Sequence, residues 1–306
     1  MVVPFTLRQL EYFTATMEHG TFRAAATACS VSETALAQAI TDLERALGQT
    51  LLLRQRSRGV TPTSEGLALI AMSRSLLDQA TELESAADDL RNELSGPLRI
   101  GCYSTLSPFI VPSIIAGFAK PHPRLDVTIV EGDPTELQTQ LHEGRLDCVL
   151  MLSRQAGASV ETHAVRAGRP RVILSAEHPL AERTHLSLRL LEKEPMVLLD
   201  LPAVRANLLP MLGEVGIHPR IEWRTTVFET VRSLVARNLG WSVLLHQTPT
   251  DVSYEGLPLR SIFIDEPVAS NDVALGVLRG RRWNARLRAF EEHCREHFRR
   301  MDAGSS

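Results

Sequence analysis

The 306-residue sequence predicts an α+β chain of three parts, and three observations support this. Apolar residues recur at helical spacing through residues 1–65, which end in a run typical of a β-hairpin. Residues 64–93 then carry one continuous helical pattern with a heptad seam. From Leu98 onward, strand and helix patterns alternate, which is typical of an α/β domain.

Composition places the chain among ordinary globular proteins. Apolar residues make up 44% and charged residues 23%, which argues against a disordered chain or a fibre. No apolar run approaches the ~20 residues that span a bilayer, and the first ten residues lack the pattern of a secretory signal. We therefore expect a cytoplasmic protein without a membrane partner. The net charge of −3 does not by itself indicate a nucleic-acid partner.

Three helices are predicted before residue 50. Apolar residues from Leu7 to Met17 follow one face of the first helix, and the second runs from Phe22 to Cys29. Ser32 is a good N-cap for the third helix, which runs to Leu47 and stops at Gly48. Because the second and third helices are joined by a short turn, they predict a helix-turn-helix.

A short β-hairpin, a wing, is predicted after the third helix. Apolar residues 51–53 are followed by Arg54, Arg56, Arg58 and then Gly59. The three arginines are either a solvated charge run or contacts to DNA phosphates or the minor groove, and their place after a helix-turn-helix favours DNA. Of the three arginines, Arg54 is the least favoured as a contact to DNA.

The seam of the long helix repeats at alternating intervals of four and three. Its positions are 69, 73, 76, 80, 83, 87 and 90, and only the four leucines among them are large. The helix either lies on its own domain or pairs with a partner helix. A stripe this narrow favours dimerisation. Ser95-Gly96-Pro97 is expected to end the helix.

In the third part of the chain, from Leu98 onward, the sequence predicts eight strands and five helices. The strands are 98–102, 126–130, 147–152, 171–175, 196–199, 220–224, 242–245 and 272–278, and the helices are 108–120, 134–143, 204–215, 228–237 and 284–300. This alternation predicts mainly parallel sheets. Their ligands are expected at the carboxyl ends of strands, near helix N-termini. The tail from Asp302 is expected to be disordered.

Short motifs occur along the chain in a characteristic order. They are Leu7-Arg8-Gln9-Leu10-Glu11-Tyr12-Phe13, Gly20-Thr21-Phe22-Arg23-Ala24-Ala25-Ala26, Leu43-Glu44-Arg45-Ala46-Leu47-Gly48, Thr63-Ser64-Glu65-Gly66, Gly96-Pro97-Leu98-Arg99-Ile100-Gly101, Gly144-Arg145-Leu146-Asp147, His178-Pro179-Leu180-Ala181 and Val235-Ala236-Arg237-Asn238-Leu239-Gly240. This ordered set resembles LysR-type transcriptional regulators over essentially the whole chain. The resemblance implies a winged helix-turn-helix, a long linker helix and an effector domain like periplasmic binding proteins, with two α/β lobes around a cleft.

The resemblance also implies domain boundaries and a function. The DNA-binding domain would be 1–65, the dimerisation helix 66–95 and the effector domain 96–301, with lobe 1 at 98–167 and 268–300 and lobe 2 at 168–267. The chain would be a sequence-specific regulator of transcription, controlled by a small-molecule effector of the organic-acid or amino-acid class. Double-stranded DNA and a second copy of the chain, as a homodimer or homotetramer, are the expected partners.

The third helix departs from the family pattern. Glu33, Thr34 and Ala37 replace the usual Gln, Pro and second Ser, and Gln38 stands where Arg is frequent. The Glu33 carboxylate repels phosphate but can accept a hydrogen bond from the amino group of cytosine, and Gln38 can pair with adenine. We therefore expect an operator preference that differs from the common pattern of the family. The residues expected to contact DNA are Thr21, Arg23, Ser32, Glu33, Thr34, Ala37, Gln38, Arg54, Arg56 and Arg58.

Four strand ends are candidates for the effector site. Ser104-Thr105 could cap a helix and, with the same atoms, bind a carboxylate of the effector. The resemblance, which places this turn in the cleft, favours an effector role. Asp200, in the loop to Ala203, either caps the next helix or receives a cationic or hydroxyl group. Thr226 to Phe228 form a third wall. His246 is a fourth candidate, although a core or surface histidine is equally compatible.

Two other classes of protein compete with a regulator. A solute-binding protein would need an export signal, and an α/β enzyme with an accessory helical domain would need a catalytic constellation. The sequence contains no HExxH, GxSxG, P-loop or GxGxxG, so no catalytic residue, metal site or cofactor is predicted. Redox sensing is disfavoured because no basic residue adjoins Cys102 or Cys148 and Cys29 is expected in the core.

Overall fold

The computed structural model describes residues 3–55, 59–89, 94–246, 248, 250–281 and 283–303. Contacts between Cα atoms divide the chain into two compact units. The first unit comprises Met1–Arg99, His122–Thr128 and Thr139–Asp147, and the second comprises Ile100–Pro121, Ile129–Gln138 and Cys148–Ser306.

The first unit begins with three short helices, as predicted. Its elements are α1 (Leu7–His19), α2 (Phe22–Ala28), α3 (Glu33–Leu47), β1 (Leu52–Gln55), β2 (Gly59–Pro62) and α4 (Ser64–Asp89). The Thr21 and Ser32 hydroxyls each accept a hydrogen bond from an amide of the next helix at 3.1 Å. Gly48 ends α3 with a left-handed φ of 65°. The helix-turn-helix is therefore confirmed.

The core of this unit orients α3. Leu36, Ile40 and Leu43 are buried on one face and pack in the same cluster as Leu10 and Phe13 of α1. Full burial of one such side chain contributes about 1.5–3 kcal/mol. Because the apolar face is committed to this core, the polar face of α3 points to solvent.

Strands β1 and β2 form the predicted hairpin. They pair antiparallel, ending at Gln55↔Gly59, and residues 56–58 lie outside the described part of the chain. The Val60 amide donates to the Gly20 carbonyl at 2.9 Å. A Cβ on Gly59, whose φ is 82°, would lie 2.5 Å from that carbonyl oxygen. Glycine at this position therefore permits close packing of the hairpin on the α1–α2 turn.

The surroundings of helix α4 differ between its start and its later turns. Ile70 is buried, and Leu69 packs against the core of the helical domain. Further along, Leu76 is 38% exposed and Leu83 is 76% exposed. The seam therefore rests on its own domain at its start but not at its later leucines. Residues 90–93 lie outside the described residues.

The second part of the chain alternates strands and helices. The strands are β3 (Gly96–Tyr103), β4 (Leu125–Gly132), β5 (Cys148–Leu152), β6 (Val160–Arg166), β7 (Arg171–Ser175), β8 (His185–Leu186), β9 (Pro195–Leu199), β10 (Arg220–Thr225), β11 (Ser242–Leu244), β12 (Leu259–Ile264) and β13 (Val273–Leu278). The helices are α5 (Ser107–Ala119), α6 (Pro134–His142), α7 (Pro202–Glu214), α8 (Phe228–Ala236) and α9 (Ala285–Ala303). Strands β6, β8 and β12 were not predicted. Asp302 and Ala303 lie in α9, so the predicted disorder is wrong for these two residues, and residues 304–306 lie outside the described part of the chain.

These strands form two sheet systems, each the centre of one lobe. One sheet has the order β4-β3-β5-β13-β6, and the other has the order β11-β7-β12-β8, with a β10-β9 pair joined to it by a bridge between Met196 and Trp241. The expectation of mainly parallel sheets holds only in part. The pairs β3–β5, β9–β10 and β8–β12 are parallel, whereas β13 runs antiparallel to both β5 and β6, and β7 runs antiparallel to both β11 and β12. For β13 the reason is that it enters the first sheet on the chain's return from the second.

The chain passes between the two sheets twice, at 167–170 and at 265–272. The passages are tied together, because the Gly168 amide donates to Asp272 at 2.9 Å and the Asn271 amide donates to the Gly168 carbonyl at 3.1 Å. A Cβ on Gly168 would lie 2.1 Å from the Asn271 carbonyl oxygen. Glycine therefore allows the two passages to run in direct contact.

Candidate functional site

The N-terminal half of α3 presents a polar surface. Ser32, Glu33, Thr34 and Gln38 are exposed, and Ala37 is half-buried. All five are candidates for DNA contact, and they adjoin the helix N-terminus, where free amides favour a phosphate. The surface has the position and chemistry that a recognition helix needs.

Gln38 is held by an intrahelical network. Its Nε2 donates to Asp42 Oδ1 at 3.1 Å, and Arg45 lies 2.6 Å from the same oxygen. The amide is therefore oriented before any partner arrives, and its Oε1 remains available as an acceptor.

The other candidate DNA contacts fall into two groups. Thr21 caps α2 through its hydroxyl, and Arg23 is exposed on the same helix. Arg54 lies on β1, while Arg56 and Arg58 lie outside the described residues. The structure thus describes the strands on both sides of the arginine segment but not its tip.

A small cleft pocket, with a cavity volume of ≈ 20 Å³, lies between the two lobes. Its lining comes from the ends of β3 and β5 in one lobe and from β9, α7, α8 and β11 in the other, and it consists of Tyr103, Thr105, Leu152, Leu199, Val204, Phe228, Val231 and residues 242–246. Three sequence-predicted residues, Thr105, Phe228 and His246, are therefore brought together here. Ser104, Asp200, Ala203 and Thr226 are not part of this lining.

Aromatic rings meet across the cleft. Phe228 stacks on His246 with ring centroids 5.0 Å apart, and Phe109 of α5 contacts Phe228 edge-on at 5.4 Å. Edge-to-face contacts at these separations are favourable beyond the area that they bury. Phe109 was not among the residues predicted from the sequence, although it lies only four residues after Thr105.

Neither predicted helix cap forms. Helix α5 begins at Ser107 with Leu106 as its N-cap, so Ser104-Thr105 belongs to the preceding turn. Helix α7 has Leu201 as its N-cap and Pro at its start, and no side chain caps it. The capping interpretation was therefore wrong for both Ser104-Thr105 and Asp200. Proline favours a helix start without needing a side-chain acceptor for its missing N–H.

Asp200 instead pairs with two cations. Its carboxylate lies 3.2 Å from Arg205 Nε and 3.6 Å from Arg224 Nη1. Exposed ion pairs of this kind contribute about 0–1 kcal/mol, but here they surround one carboxylate with two positive charges. The loop at Asp200 is consequently not a negatively charged wall.

Three buried polar groups at or beside the cleft pocket make no well-formed hydrogen bond to the described residues. They are Tyr103 Oη and His246 Nε2, both of which line the pocket, and the side-chain amide of Gln155, which lies close to the Tyr103 hydroxyl but outside the lining. Burial raises the pKa of Tyr103, while the side chains of Thr105 and Gln155 act in the opposite direction. Such atoms are satisfied by a ligand or by water in most proteins. The rule that ligands bind at strand ends could have indicated both Tyr103 and Gln155.

His246 is 5% exposed, and its surroundings disfavour a positive charge. Burial lowers the pKa of His246 to about 4, and Arg166 and Arg232 act in the same direction. The ring is therefore neutral at pH 7, with one nitrogen as a donor and the other as an acceptor.

This shift predicts a loss of stability in mild acid. Above about pH 6.5, the pKa of a histidine in the unfolded chain, His246 is neutral in both states and the protein keeps its full stability. Between about pH 6.5 and about pH 4 the free energy of unfolding falls as the pH falls, because only the unfolded chain binds the proton at His246. The loss amounts to about 3 kcal/mol. Urea unfolding of the parent and of His246→Gln at about pH 7 and about pH 4.5 measures it. Equal pH dependence of the two proteins would contradict the assignment.

The cysteines are poorly suited to thiol chemistry. Cys102 and Cys148 lie on neighbouring strands and are buried. Burial raises the pKa of Cys102 and Cys294 far above the ordinary value. Burial and the nearby Glu11 also raise the pKa of Cys29, which is half-buried. Because the thiolate is the reactive form, none of the three thiols with a resolved shift is activated.

Two features of the described residues bear on other functions. Within the described ranges, no group of three histidine, cysteine or acidic residues is placed to hold a metal ion. None of the helices described is long and apolar enough to cross a membrane.

A helix-turn-helix with a hairpin, followed by a long helix and two α/β lobes around a pocket, defines a ligand-responsive DNA-binding regulator. Comparison with protein families agrees: "Bacterial regulatory helix-turn-helix protein, lysR family" matches residues 7–67, and "LysR substrate binding domain" matches residues 91–299. The chain belongs to the LysR family of transcriptional regulators, as the sequence motifs predicted.

Individual relatives support the same assignment over the whole chain. A "Hydrogen peroxide-inducible genes activator" from Dickeya chrysanthemi is 30% identical over 98% of this chain and 99% of its own. The "DNA-binding transcriptional dual regulator OxyR" of Escherichia coli K12 is 32% identical over 78% of each chain. These relatives are named as regulators of transcription rather than as enzymes or solute-binding proteins. They therefore confirm the predicted class of regulator over the two alternatives.

Solved structures give the same result. A single-residue variant of full-length OxyR from Pseudomonas aeruginosa has a TM-score of 0.75 and 25% identity, covering 96% of this chain and 98% of its own. HinK, a LysR family regulator from the same organism, has a TM-score of 0.63 and 29% identity, covering 96% of this chain and 98% of its own.

Proposed function

We propose that the polar N-terminal face of α3 reads bases in the major groove while the hairpin arginines hold the DNA backbone. The observation that carries this proposal is the exposure of Glu33, Thr34 and Gln38 on a helix whose other face is fixed in the core. Gln38 suits adenine and Glu33 suits the amino group of cytosine. The regulator would therefore prefer an operator different from the common one of its family.

The proposed division of labour follows the three parts of the chain. Residues 1–65 would bind DNA, residues 66–95 would join two copies through the α4 seam, and residues 96–301 would bind the effector. The lobes would be 98–167 with 268–300, and 168–267. A homodimer, or a homotetramer built from it, would place two helix-turn-helix domains on symmetric half-sites.

Substitutions in the two DNA-contacting groups should have separable effects. Arg56→Ala and Arg58→Ala should weaken binding to operator and random DNA equally, because phosphate contacts carry no sequence information. Gln38→Ala should change the preference between bases by about 1–3 kcal/mol. Fluorescence anisotropy with an operator and single-base variants, over a range of salt, measures both quantities.

Gln49→Ala is the matched control, since Gln49 is exposed just beyond the other end of α3. It should leave both affinity and preference unchanged. If the arginine variants altered base preference and Gln38→Ala did not, the roles of the two groups would have to be exchanged.

The effector is proposed to bind in the cleft pocket, from the turn at Ser104-Thr105 to Phe228 and His246. Tyr103, Gln155 and His246 offer buried polar atoms to its polar groups, and the two phenylalanines offer apolar contact. Asp200, Ala203 and Thr226 would contact it at the cleft rim. Because Asp200 is neutralised by Arg205 and Arg224, an acidic group is acceptable there, and a small organic or amino acid suits the site best.

A thermal-shift screen of organic acids, amino acids, amines and aromatic compounds tests this assignment. A ligand that binds only the folded chain stabilises it by RT ln(1 + [L]/Kd), about 2.7 kcal/mol at 100-fold saturation. Acids that carry an amine or hydroxyl group should stabilise the parent most. Stabilisation by amines alone would contradict the proposed class.

Thiol sensing of peroxide is not proposed, although relatives are named for induction by hydrogen peroxide. Stoichiometric peroxide should leave the cysteine thiols unmodified and the operator affinity unchanged at neutral pH, because burial raises the pKa of Cys29, Cys102 and Cys294. Thiol alkylation followed by peptide mass spectrometry, which separates cysteine from methionine oxidation, and anisotropy measure the two quantities, with Cys29→Ser as the control. A peroxide-dependent change that is lost in one cysteine variant would overturn this prediction.

A further inference from the structure

Helix α6 belongs to both compact units of the chain. Its residues up to Gln138 are part of the second unit, and its residues from Thr139 onward are part of the first unit, which also contains the helical domain. The turn that follows the helix, up to Asp147, belongs to the first unit as well. A helix placed in this way can transmit a displacement along the chain, provided that both of its ends are held.

The N-terminal end of α6 is held by residues of the effector cleft. Gln138 Nε2 donates to the Gln155 carbonyl at 3.1 Å, and Gln138 Oε1 accepts from the Gly157 amide at 2.6 Å. The strand that leads into α6 is held too, because the Ser104 amide donates to the Gly132 carbonyl at 3.1 Å. A change in position of Ser104 or Gln155 therefore reaches α6 through a direct hydrogen bond.

The C-terminal end of α6 is held by helix α4. Gly144 follows the helix with a left-handed φ of 65°, and the Arg145 amide donates to the Gln140 carbonyl at 2.9 Å, as in a Schellman motif. Arg74 Nη1 of α4 donates to the Glu143 carbonyl, at the end of the helix where the dipole favours a cation. A Cβ on Gly144 would lie 3.2 Å from Arg74 Cβ, so the turn packs directly on the stem of this arginine.

Arg74 is also close to the helical domain. Burial lowers the pKa of Arg74, whereas Glu18 of α1 and Glu143 act in the opposite direction because their charges favour the guanidinium cation. Ile70, one turn before Arg74 on α4, is buried in the same core as Leu36 of α3. The part of α4 that contacts the end of α6 is therefore continuous with the core that orients α3.

We propose that Arg74 couples the effector cleft to the DNA-binding domain, with α6 as the element that connects them. This coupling rests on the proposed functions of the cleft and of α3. A ligand that moves Ser104 or Gln155 displaces α6, and the last turn of α6 then changes its contact with Arg74 on α4. The shared core passes the change to α3. Coupling between two sites is reciprocal, so DNA bound at α3 also changes the stability of α6.

Hydrogen–deuterium exchange on the full-length protein tests this coupling without an effector. The probe is a DNA duplex that the parent has selected from a random-sequence pool. In the parent, the duplex should change the exchange rates of residues 135–146 by about 5-fold or more, the lower end of a typical coupling between sites. Arg74→Met keeps an apolar stem but has no donor for the Glu143 carbonyl, so the change should disappear although the duplex is still bound. Anisotropy on the same samples measures DNA binding.

Two further variants separate the hydrogen bond of Arg74 from a general loss of charge. Arg145→Met removes a cation that pairs with the Glu143 carboxylate at the same turn but leaves the contact with α4 in place, so it should respond like the parent. Arg74→Lys keeps a charged donor that can reach one carbonyl, and it should recover part of the change that Arg74→Met loses.

The outcomes distinguish the coupling from the DNA-binding function. DNA binding by the parent without a change in residues 135–146 overturns the proposal, and this result needs no variant to fold. A change that persists undiminished in Arg74→Met overturns it too, as does one that is lost in Arg145→Met or not recovered in Arg74→Lys. If the parent selects and binds no duplex, the proposed function of α3 fails, and the coupling fails with it.

Discussion

Replacing Leu76 and Leu83 together by glutamate is expected to leave the protein monomeric and to weaken operator binding by at least about 100-fold. The two leucines lie on the α4 seam and are 38% and 76% exposed in the single chain. In a paired seam each would be buried against a partner, where an unpaired carboxylate is strongly unfavourable. Two linked DNA-binding domains bind two half-sites with an effective concentration that a monomer lacks.

Leu67→Glu is the matched control for this loss. Leu67 is 51% exposed on the same helix but outside the seam, so the variant should stay oligomeric and bind operator like the parent. Light scattering at micromolar concentration gives the mass, and anisotropy gives the affinity. An oligomeric double variant, or a parent that is already monomeric, would show that α4 does not join two copies.

The helical domain could be predicted from sequence because its signals are local. The N-caps Thr21 and Ser32, the stop at Gly48 and the buried spacing of Leu36 and Ile40 each lie within one helix or its immediate flank. A cap is satisfied by an amide two or three residues away, so no knowledge of the tertiary fold is needed.

Strands β6 and β8 were missed for a different reason. β6 carries Glu161, Thr162 and His163 in its first half, and its partner is β13, more than 100 residues later. β8 has only two residues and pairs with β12. Their stability comes from long-range pairing, which periodicity within a short window does not reveal.

The candidate effector site was predictable in part. Thr105, Phe228 and His246 follow strand ends, and that rule alone places them together. The surroundings of Asp200 were not predictable, because Arg224 reaches it through the parallel pairing of β10 with β9, in which Arg224 lies opposite Leu198. The capping interpretations were wrong because α5 and α7 begin two or more residues after the polar side chains.

Phe228→Ala is expected to weaken effector binding by about 30–1000-fold, the range of a central interface aromatic. Phe228 lines the cleft pocket and contacts His246 of its own lobe and Phe109 of the opposite lobe. Thr105→Val, which keeps the shape of the side chain and removes its hydroxyl, should cost about 10-fold through one lost hydrogen bond. Calorimetry with the best ligand from the thermal-shift screen measures both.

The variant Asp200→Ala tests whether the effector depends on a contact at the rim of the cleft. With Arg205 and Arg224 released from their carboxylate partner, an acidic effector should bind the variant at least as tightly as the parent, whereas an effector held by Asp200 itself would bind more weakly. Parent-like affinity in both Phe228→Ala and Thr105→Val would place the effector elsewhere. Because the Phe109–Phe228 contact already bridges the lobes, an effector must favour one lobe arrangement over the other to change the DNA-binding state.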